Sequence, residues 1–476
     1  MILSSESSSP YRVDPPLIRA LKSETCAWAL IVGAYLFTLL GIFLGGARFI
    51  PIFFPAVTTA VALLLYFRFP LLYVGFNWWL WFLTPLVRRL VDYKTGYTEF
   101  SLVLLAPLLV TFITVISLVR YIPKVLRSYG LPFVLSIASI LFCLCLGLVN
   151  FQLAKVVRNF LDILLPVSFG FYIILNWRNY PALKTNIKRV FLWGVLLMGV
   201  YGIFQFLVCP DWDGLWLLES PYNSGGNPEP LKVRVWSTLN SAGPFAGVMA
   251  GGLLLLLISP TRFTPLATVV GALSFILSRH RASWVSWIVG FLFVAGAAPA
   301  KKQIRMMIFI SLLGLVLVGI SSLDQFSASI GDRFGTLGSL QNDGSALARK
   351  AEWDEYFLPA LSTVFGNGLG GLGHDNGILY FLLNLGWSGT VLYFAGLFVP
   401  LKIIFQSPYA KQDEFIVVSR AIAISLLIQM PTSIPILHVT GMVIWGFMSY
   451  AMAGHLYYRA LATQSNFSGI PIMEHG

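Results

Sequence analysis

An all-α, polytopic transmembrane helix bundle is what the sequence predicts, on three observations. Of the 476 residues, 57% are hydrophobic and 11% are charged, whereas soluble domains carry roughly a quarter charged residues. The mean hydropathy is +0.78. Apolar runs approaching the ~20 residues that cross a bilayer recur along the whole chain. They are read as about 12–14 segments: 27–46, 49–67, 70–86, 100–119, 131–150, 160–176, 190–208, 243–259, 265–278, 284–298, 306–322, 377–399, 418–434 and 437–456. The pair 265–298 also reads as one broken hairpin.

These runs divide the chain. Residues 1–26 are polar, with Pro10, Pro15 and Pro16, and lack the apolar core and small-residue cleavage site of a signal peptide. They are expected to be a cytoplasmic tail. N-terminal transmembrane helices follow over 27–208, then a first periplasmic loop over 209–242. Central helices take 243–322, a large periplasmic loop 323–376, C-terminal helices 377–456 and a cytoplasmic tail 457–476. No internal repeat is visible.

The basic residues set the orientation. With the N-terminus in the cytoplasm, 19 of the 32 Lys and Arg fall on the cytoplasmic side and 13 outside, in the sense of the positive-inside bias. The formal charge of +12 thus reads as membrane topology, not as a nucleic-acid partner. Cys26, Cys143, Cys145 and Cys209 lie mostly in apolar runs and form no disulfide or zinc pattern.

The longest polar interval runs from Ser321 to Asn376. Long connections are usually functional or disordered. In this one Asp343 and Ser345 are suited to capping a helix. That helix would carry Arg349, Trp353 and Phe357 at i, i+4 steps on one face. A glycine-rich turn, Gly366 to Gly373, then delivers His374, Asp375 and Asn376 to the next apolar run.

Arg234, Arg279, Arg281, Arg333 and Arg349 all fall on the outer side near segment ends. Arginine stays charged and pairs bidentately with phosphate. Taken alone, Arg279 or Arg333 reads as a solvated or snorkelling side chain. Arg281 lies between two apolar runs, and an ionisable group at membrane depth is a functional candidate. His374 and Asp375 are paired titratable groups at a helix mouth, where either can take a proton from a hydroxyl. Asn376 reads equally well as the cap of the helix starting at Gly377. Asp211 and Asp213 form a D-x-D pair, a weak cation signal outweighed by a solvated loop. No nucleophile triad, P-loop or dinucleotide fingerprint is present. The many Trp and Phe residues read as interfacial belt and core.

Five motifs occur in a telling order: Arg234-Val-Trp-Ser-Thr-Leu-Asn-Ser-Ala-Gly-Pro-Phe-Ala, Arg281-Ala-Ser-Trp284, Asp343-Gly-Ser-x3-Arg349-x3-Trp353, Gly366-x-Gly-x-Gly, and Asp375-Asn376 followed by Leu385-Gly386-x2-Gly389. Over about Gly202 to Gly389 the chain resembles the O-antigen ligase and polymerase superfamily. The N-terminal helices match it only in being apolar. The resemblance implies a metal-independent, inverting membrane glycosyltransferase of the bacterial inner membrane, with its active site on the periplasmic face. The donor would be a glycan on a polyprenyl (undecaprenyl) diphosphate, and the acceptor a glycan or a lipid-linked glycan. Arg234, Arg281 and Arg349, with Arg279 and Arg333, would grip the diphosphate. Asn376 and Trp353 would position the glycan, and no cofactor or metal is implied. The family's His-Asn pair falls on Asp375-Asn376, so an aspartate replaces the histidine and His374 stands one place early. The base is therefore Asp375 or His374, with Asp375 in register. The missing histidine turns the reading towards a polysaccharide polymerase, ahead of a ligase acting on a lipid A-core acceptor.

Two other classes compete. A small-anion transporter would use the same arginines for permeation but usually shows inverted repeats and mid-membrane broken helices. An inactive scaffold would not need the arginine cluster.

Overall fold

The computed structural model describes residues 23–221, 224–321, 344–371 and 376–468. In chain order its helices are α1 (Glu24–Phe43), α2 (Ile50–Arg68), α3 (Pro70–Thr95), α4 (Leu105–Phe112), α5 (Thr114–Val125), α6 (Leu131–Asn150), α7 (Leu153–Leu175), α8 (Tyr180–Val208) and α9 (Asp211–Glu219). There follow α10 (Ala242–Leu256), α11 (Thr264–Leu277), α12 (Arg281–Ala297), α13 (Ala300–Ser321), α14 (Gly344–Ser362), α15 (Gly377–Phe405), α16 (Glu414–Leu427) and α17 (His438–Ser468). Among the described residues no strand forms; one isolated bridge joins Gly226 to Val233.

Among the described residues, seven helical stretches are long and apolar enough to cross a membrane: Glu24–Phe43, Ala47–Arg68, Leu102–Val125, Leu131–Asn150, Leu153–Leu175, Trp177–Val208 and Gly377–Phe405. The shorter apolar helices α10, α11 and α12 pack among them. Phe43, Phe67, Val119 and Val149 lie exposed on the outside of the bundle, as suits side chains that face acyl chains. The chain is a multi-pass, all-helical membrane protein.

Small residues bring helices close, because lipid supplies no hydrophobic drive between them. On α6, Ser136 and Ser139 donate to the carbonyls of Tyr393 (3.1 Å) and Gly389 (2.6 Å) on α15. α7 runs along α17 and α8 along α11. Gly170 of α7 meets Trp445 and Ser449 of α17, and Gly199 of α8 meets Gly271 of α11.

Several boundaries differ from the sequence reading. α3 runs on from 86 to Thr95 and buries Arg88, Arg89 and Asp92. The 209–242 interval holds α9 and a buried segment over 233–239. α16 stops at Leu427, and residues 428–437 form a non-helical connection that turns back on Gln429. The 265–298 pair forms two helices, α11 and α12, around a tight turn at Ser278–His280.

Opposite ends of the bundle are tied differently. At one, Asp413 caps α16 by accepting from Phe415 N (2.9 Å) while binding Tyr180 (2.8 Å), Lys184 (2.9 Å) and Tyr458 (3.1 Å). At the other gather the exit of α8, the α11–α12 turn, the starts of α10, α15 and α17, and the α16–α17 connection.

Candidate anion site at one end of the bundle

The segment that carries Arg234 is held from below. Ser237 takes φ +52°, a backbone angle few non-glycine residues adopt. Buried polar groups impose it. Gln205 of α8 accepts from the amides of Trp236 (3.0 Å) and Ser237 (2.8 Å). Arg89 of α3 donates to the carbonyls of Ser237 (2.6 Å) and Leu239 (2.9 Å). Asp213 of α9 receives Gln205 (2.8 Å) and Tyr201 (3.0 Å) and stands 3.2 Å from Arg89 Nε. Burial pushes the Asp213 carboxyl above the usual carboxylate range, and Arg89 opposes that shift.

On this floor the arginines form a clasp. Arg234 Nε donates to the Ser278 carbonyl at 2.7 Å, across to the α11–α12 turn. Arg279, in that turn with φ +52°, donates back to the Lys232 carbonyl at 3.1 Å. Val235 N reaches Leu277 O at 3.2 Å. Arg281 is the first residue of α12, and His280 is its N-cap position. Arg234, Arg279 and Arg281 are all half-buried.

His280 lies at the centre. Its Nδ1 is 2.8 Å from Ser283 Oγ, and Ser283 donates on to Gln429 at 3.2 Å. A Cβ at Gly243, in the first turn of α10, would lie 3.5 Å from His280 Nε2. Desolvation, then the positive fields of Arg234 and Arg349, push the His280 pKa down to about 3. Arg349 comes from α14, so two arginines distant in sequence act on one ring. The first turns of α10 and α12 meet here, and helix N-termini favour negative charge.

The other candidates fall as follows. Asn376 caps α15: its Oδ1 accepts from Ile378 N (2.9 Å) and Leu379 N (3.2 Å), and its Nδ2 donates to Pro431 O (3.1 Å). Trp353 stacks on Phe357 at 4.4 Å and packs with Leu379 and Leu382 of α15, which docks α14. Asp211 accepts from Tyr93 at 3.3 Å. Among the described residues no group of His, Cys, Asp or Glu has the arrangement of a metal site. Arg333, Asp343, His374 and Asp375 lie outside the described residues.

The glycine motifs serve packing. Helix α15 breaks at Gly386 (φ +67°, ψ 179°). The backbone of Gly366 enters that break so closely that a Cβ on Gly386 would lie 2.3 Å from Gly366 N. Leu369 N then bonds Cys143 O of α6 at 3.0 Å. The turn is thereby pinned between α6 and α15.

Arg89, Gln205 and Asp213 were not singled out for this role by the sequence. Their one local cue is that polar residues sit beside or inside apolar runs, where each needs a partner. Comparison with protein families, curated proteins and solved structures returns no match.

Proposed function

We propose that the chain is a bacterial inner-membrane glycosyltransferase. It moves a glycan from a polyprenyl diphosphate to an acceptor sugar hydroxyl, as a polysaccharide polymerase in preference to a ligase. The observation that carries this reading is the clasp of Arg234 and Arg279 across the α11–α12 turn, with His280 beside the starts of α10 and α12. Breaking the glycosidic bond places growing negative charge on the diphosphate, and preorganised cations stabilise such charge without reorganising. A cation site in a lipid-embedded bundle suits a head group whose tail stays in the bilayer. Arg234 and Arg279 tie two segments together through backbone carbonyls, which fixes the guanidinium planes before substrate arrives. In this reading the site faces the periplasm, and the base is Asp375 or His374.

The test is reconstitution of the full chain in liposomes with an undecaprenyl-diphosphate oligosaccharide and an acceptor glycan. Donor consumption with a lengthened product, unchanged in EDTA, supports the reading. A chain that binds the donor no better than empty liposomes do, and forms no product, sinks it. A small-anion transporter gains one supporting feature, the break in α15. That break is filled by the Gly366 backbone, which leaves no passage through it.

A further inference from the structure

The end of the bundle away from the arginine clasp gathers cations in a part of the chain almost empty of carboxylates. Stretches 25–91, 100–161 and 163–210 contain no Asp or Glu. Within them α2 ends at Arg68, α5 carries Arg120 and Lys124, and Arg178 follows α7. All four are exposed. α3 starts just after Arg68 and delivers Arg89 to the floor of the clasp, so Arg68 marks the far end. Arg178 lies two residues before Tyr180, which binds Asp413 at that same end. Among the described residues none of the four makes an ion pair. Other cations there do: Lys184 binds Asp413 at 2.9 Å, and Lys302 binds Glu414.

Aromatic side chains draw the four together. Tyr66 of α2 hydrogen-bonds Ser117 of α5 and stacks on Tyr172 of α7, with ring centroids 5.4 Å apart. The ends of α2, α5 and α7 are thereby joined. Arg120 and Lys124 both lie over the Tyr121 ring, at 5.5 Å and 5.4 Å. Like charges at i, i+4 repel each other, and a shared counter-anion removes that repulsion. Arg178 lies over Trp177 at 4.8 Å. Trp177 and the charge of Arg178 both act on the phenol of Tyr129. Tyr129 sits in the π-helical turn Leu126–Gly130, which directly follows α5. That turn therefore ties Arg178 to the end that presents Lys124.

The surroundings select the kind of anion. Phe67, Val119 and Leu131 are exposed apolar side chains beside Arg68, Arg120 and the Tyr129 turn. A free phosphate gains nothing from such a border, whereas a lipid places its chains there. Trp and Tyr favour the headgroup level of a bilayer, and clustered Lys and Arg attract anionic headgroups. We propose that this cluster binds an anionic phospholipid, its phosphodiester held by Arg120, Lys124 and Arg178 and its acyl chains laid against Phe67, Val119 and Leu131. The site lies away from the clasp and takes part in no step of glycan transfer, so it stands or falls separately.

The test is titration of the full chain, in nonionic detergent, with dioleoyl-phosphatidylglycerol, read by native mass spectrometry. One Lys or Arg beside an anionic headgroup is worth about fivefold in affinity. Arg120→Gln with Lys124→Gln should therefore weaken binding about 25-fold, at an unchanged thermal midpoint. The control is Lys402→Gln with Lys411→Gln, which removes two exposed cations from the same end but outside the cluster. It should change binding by less than about threefold. Arg178→Gln is the second variant, with a loss of about fivefold expected. Wild-type affinity in the Arg120 and Lys124 double variant, or in Arg178→Gln, overturns the proposal. Equal losses in the two double variants also overturn it, since the attraction is then diffuse surface charge. So does equal binding of dioleoyl-phosphatidylcholine, which shows no recognition of charge. Displacement of the lipid by an equal concentration of inorganic phosphate would leave an anion site that ignores the chains, and that too overturns it.

Discussion

Arg89 and Asp213 meet at 3.2 Å with both side chains fully shut from solvent, one from α3 and the other from α9. The approach is an ion pair and not an aligned hydrogen bond, since Arg89 Nε and Asp213 Oδ1 have no hydrogen-bond partner of their own. The remaining guanidinium donors hold Ser237 and Leu239, so the pair supports the segment that presents Arg234. Removing one partner strands a buried charge, which costs about 3–5 kcal/mol. Arg89→Met should lower the thermal midpoint in detergent and weaken donor binding together. Asp213→Asn, which keeps shape and two acceptor contacts, should cost less. A Met variant as stable as wild type would show that the pair supports nothing.

Gly386 and Gly366 make a second prediction. Each has positive φ, +67° and +69°, and each backbone occupies the space the other's Cβ would need. Gly386→Ala adds backbone strain to overpacking, each of order 1–3 kcal/mol. Gly296→Ala, with open space around its Cβ, is the control and should be neutral or slightly stabilising in its helix. Equal unfolding midpoints for the two alanine variants would contradict the close approach.

The seven spanning stretches were legible because each is an apolar run of bilayer length, and α11 and α12 were legible as two shorter apolar runs with polar residues between them. Asn376 showed itself as a cap because it stands directly before the α15 run. The floor of the site was not legible. Arg89 reads as a charge past a span, Asp213 as half of a D-x-D pair, and Gln205 as a stray polar residue in α8. Arg89 comes from α3, far in sequence from the α8–α9 stretch that carries Gln205 and Asp213, and nothing local in the sequence joins the two. Trp353 was legible as part of an aromatic face, but only packing shows that the face docks on α15.

His280 gives a pH prediction. Its pKa is about 3 in the folded chain against ~6.5 when unfolded. Below ~6.5 the unfolded state takes a proton that the native ring refuses, so stability falls as pH drops from ~6.5 towards 3. The thermal midpoint of wild type should therefore decline across pH 7 to 4 more steeply than that of His280→Gln. Parallel curves would mean that the ring is not held neutral.

Orientation can be read from two exposed residues at opposite ends. Lys232 lies beside the arginine clasp, and Gln412 directly precedes the Asp413 cap. In a background with Cys26 and the exposed Cys145 replaced, Lys232→Cys should react with an impermeant maleimide in whole cells. Gln412→Cys should react only after lysis. The reverse pattern would put the cation site in the cytoplasm and remove the periplasmic assignment.

Arg281→Lys probes the cation site most directly. Arg281 opens α12, next to His280 and within the turn that Arg234 reaches. Lysine retains the positive charge and the favourable long stem, so insertion and folding should persist. It loses the planar fork that matches two phosphate oxygens at once. If charge alone held the donor, turnover would change little. If bidentate geometry stabilises the departing diphosphate, kcat should fall by ~100-fold or more, the scale of one preorganised donor to a developing oxyanion. The expected split is a large fall in kcat with a small change in KM, because the interaction strengthens as the charge develops. A well-folded Arg281→Lys protein with wild-type kcat would place Arg281 outside the reacting site, whatever its neighbours do.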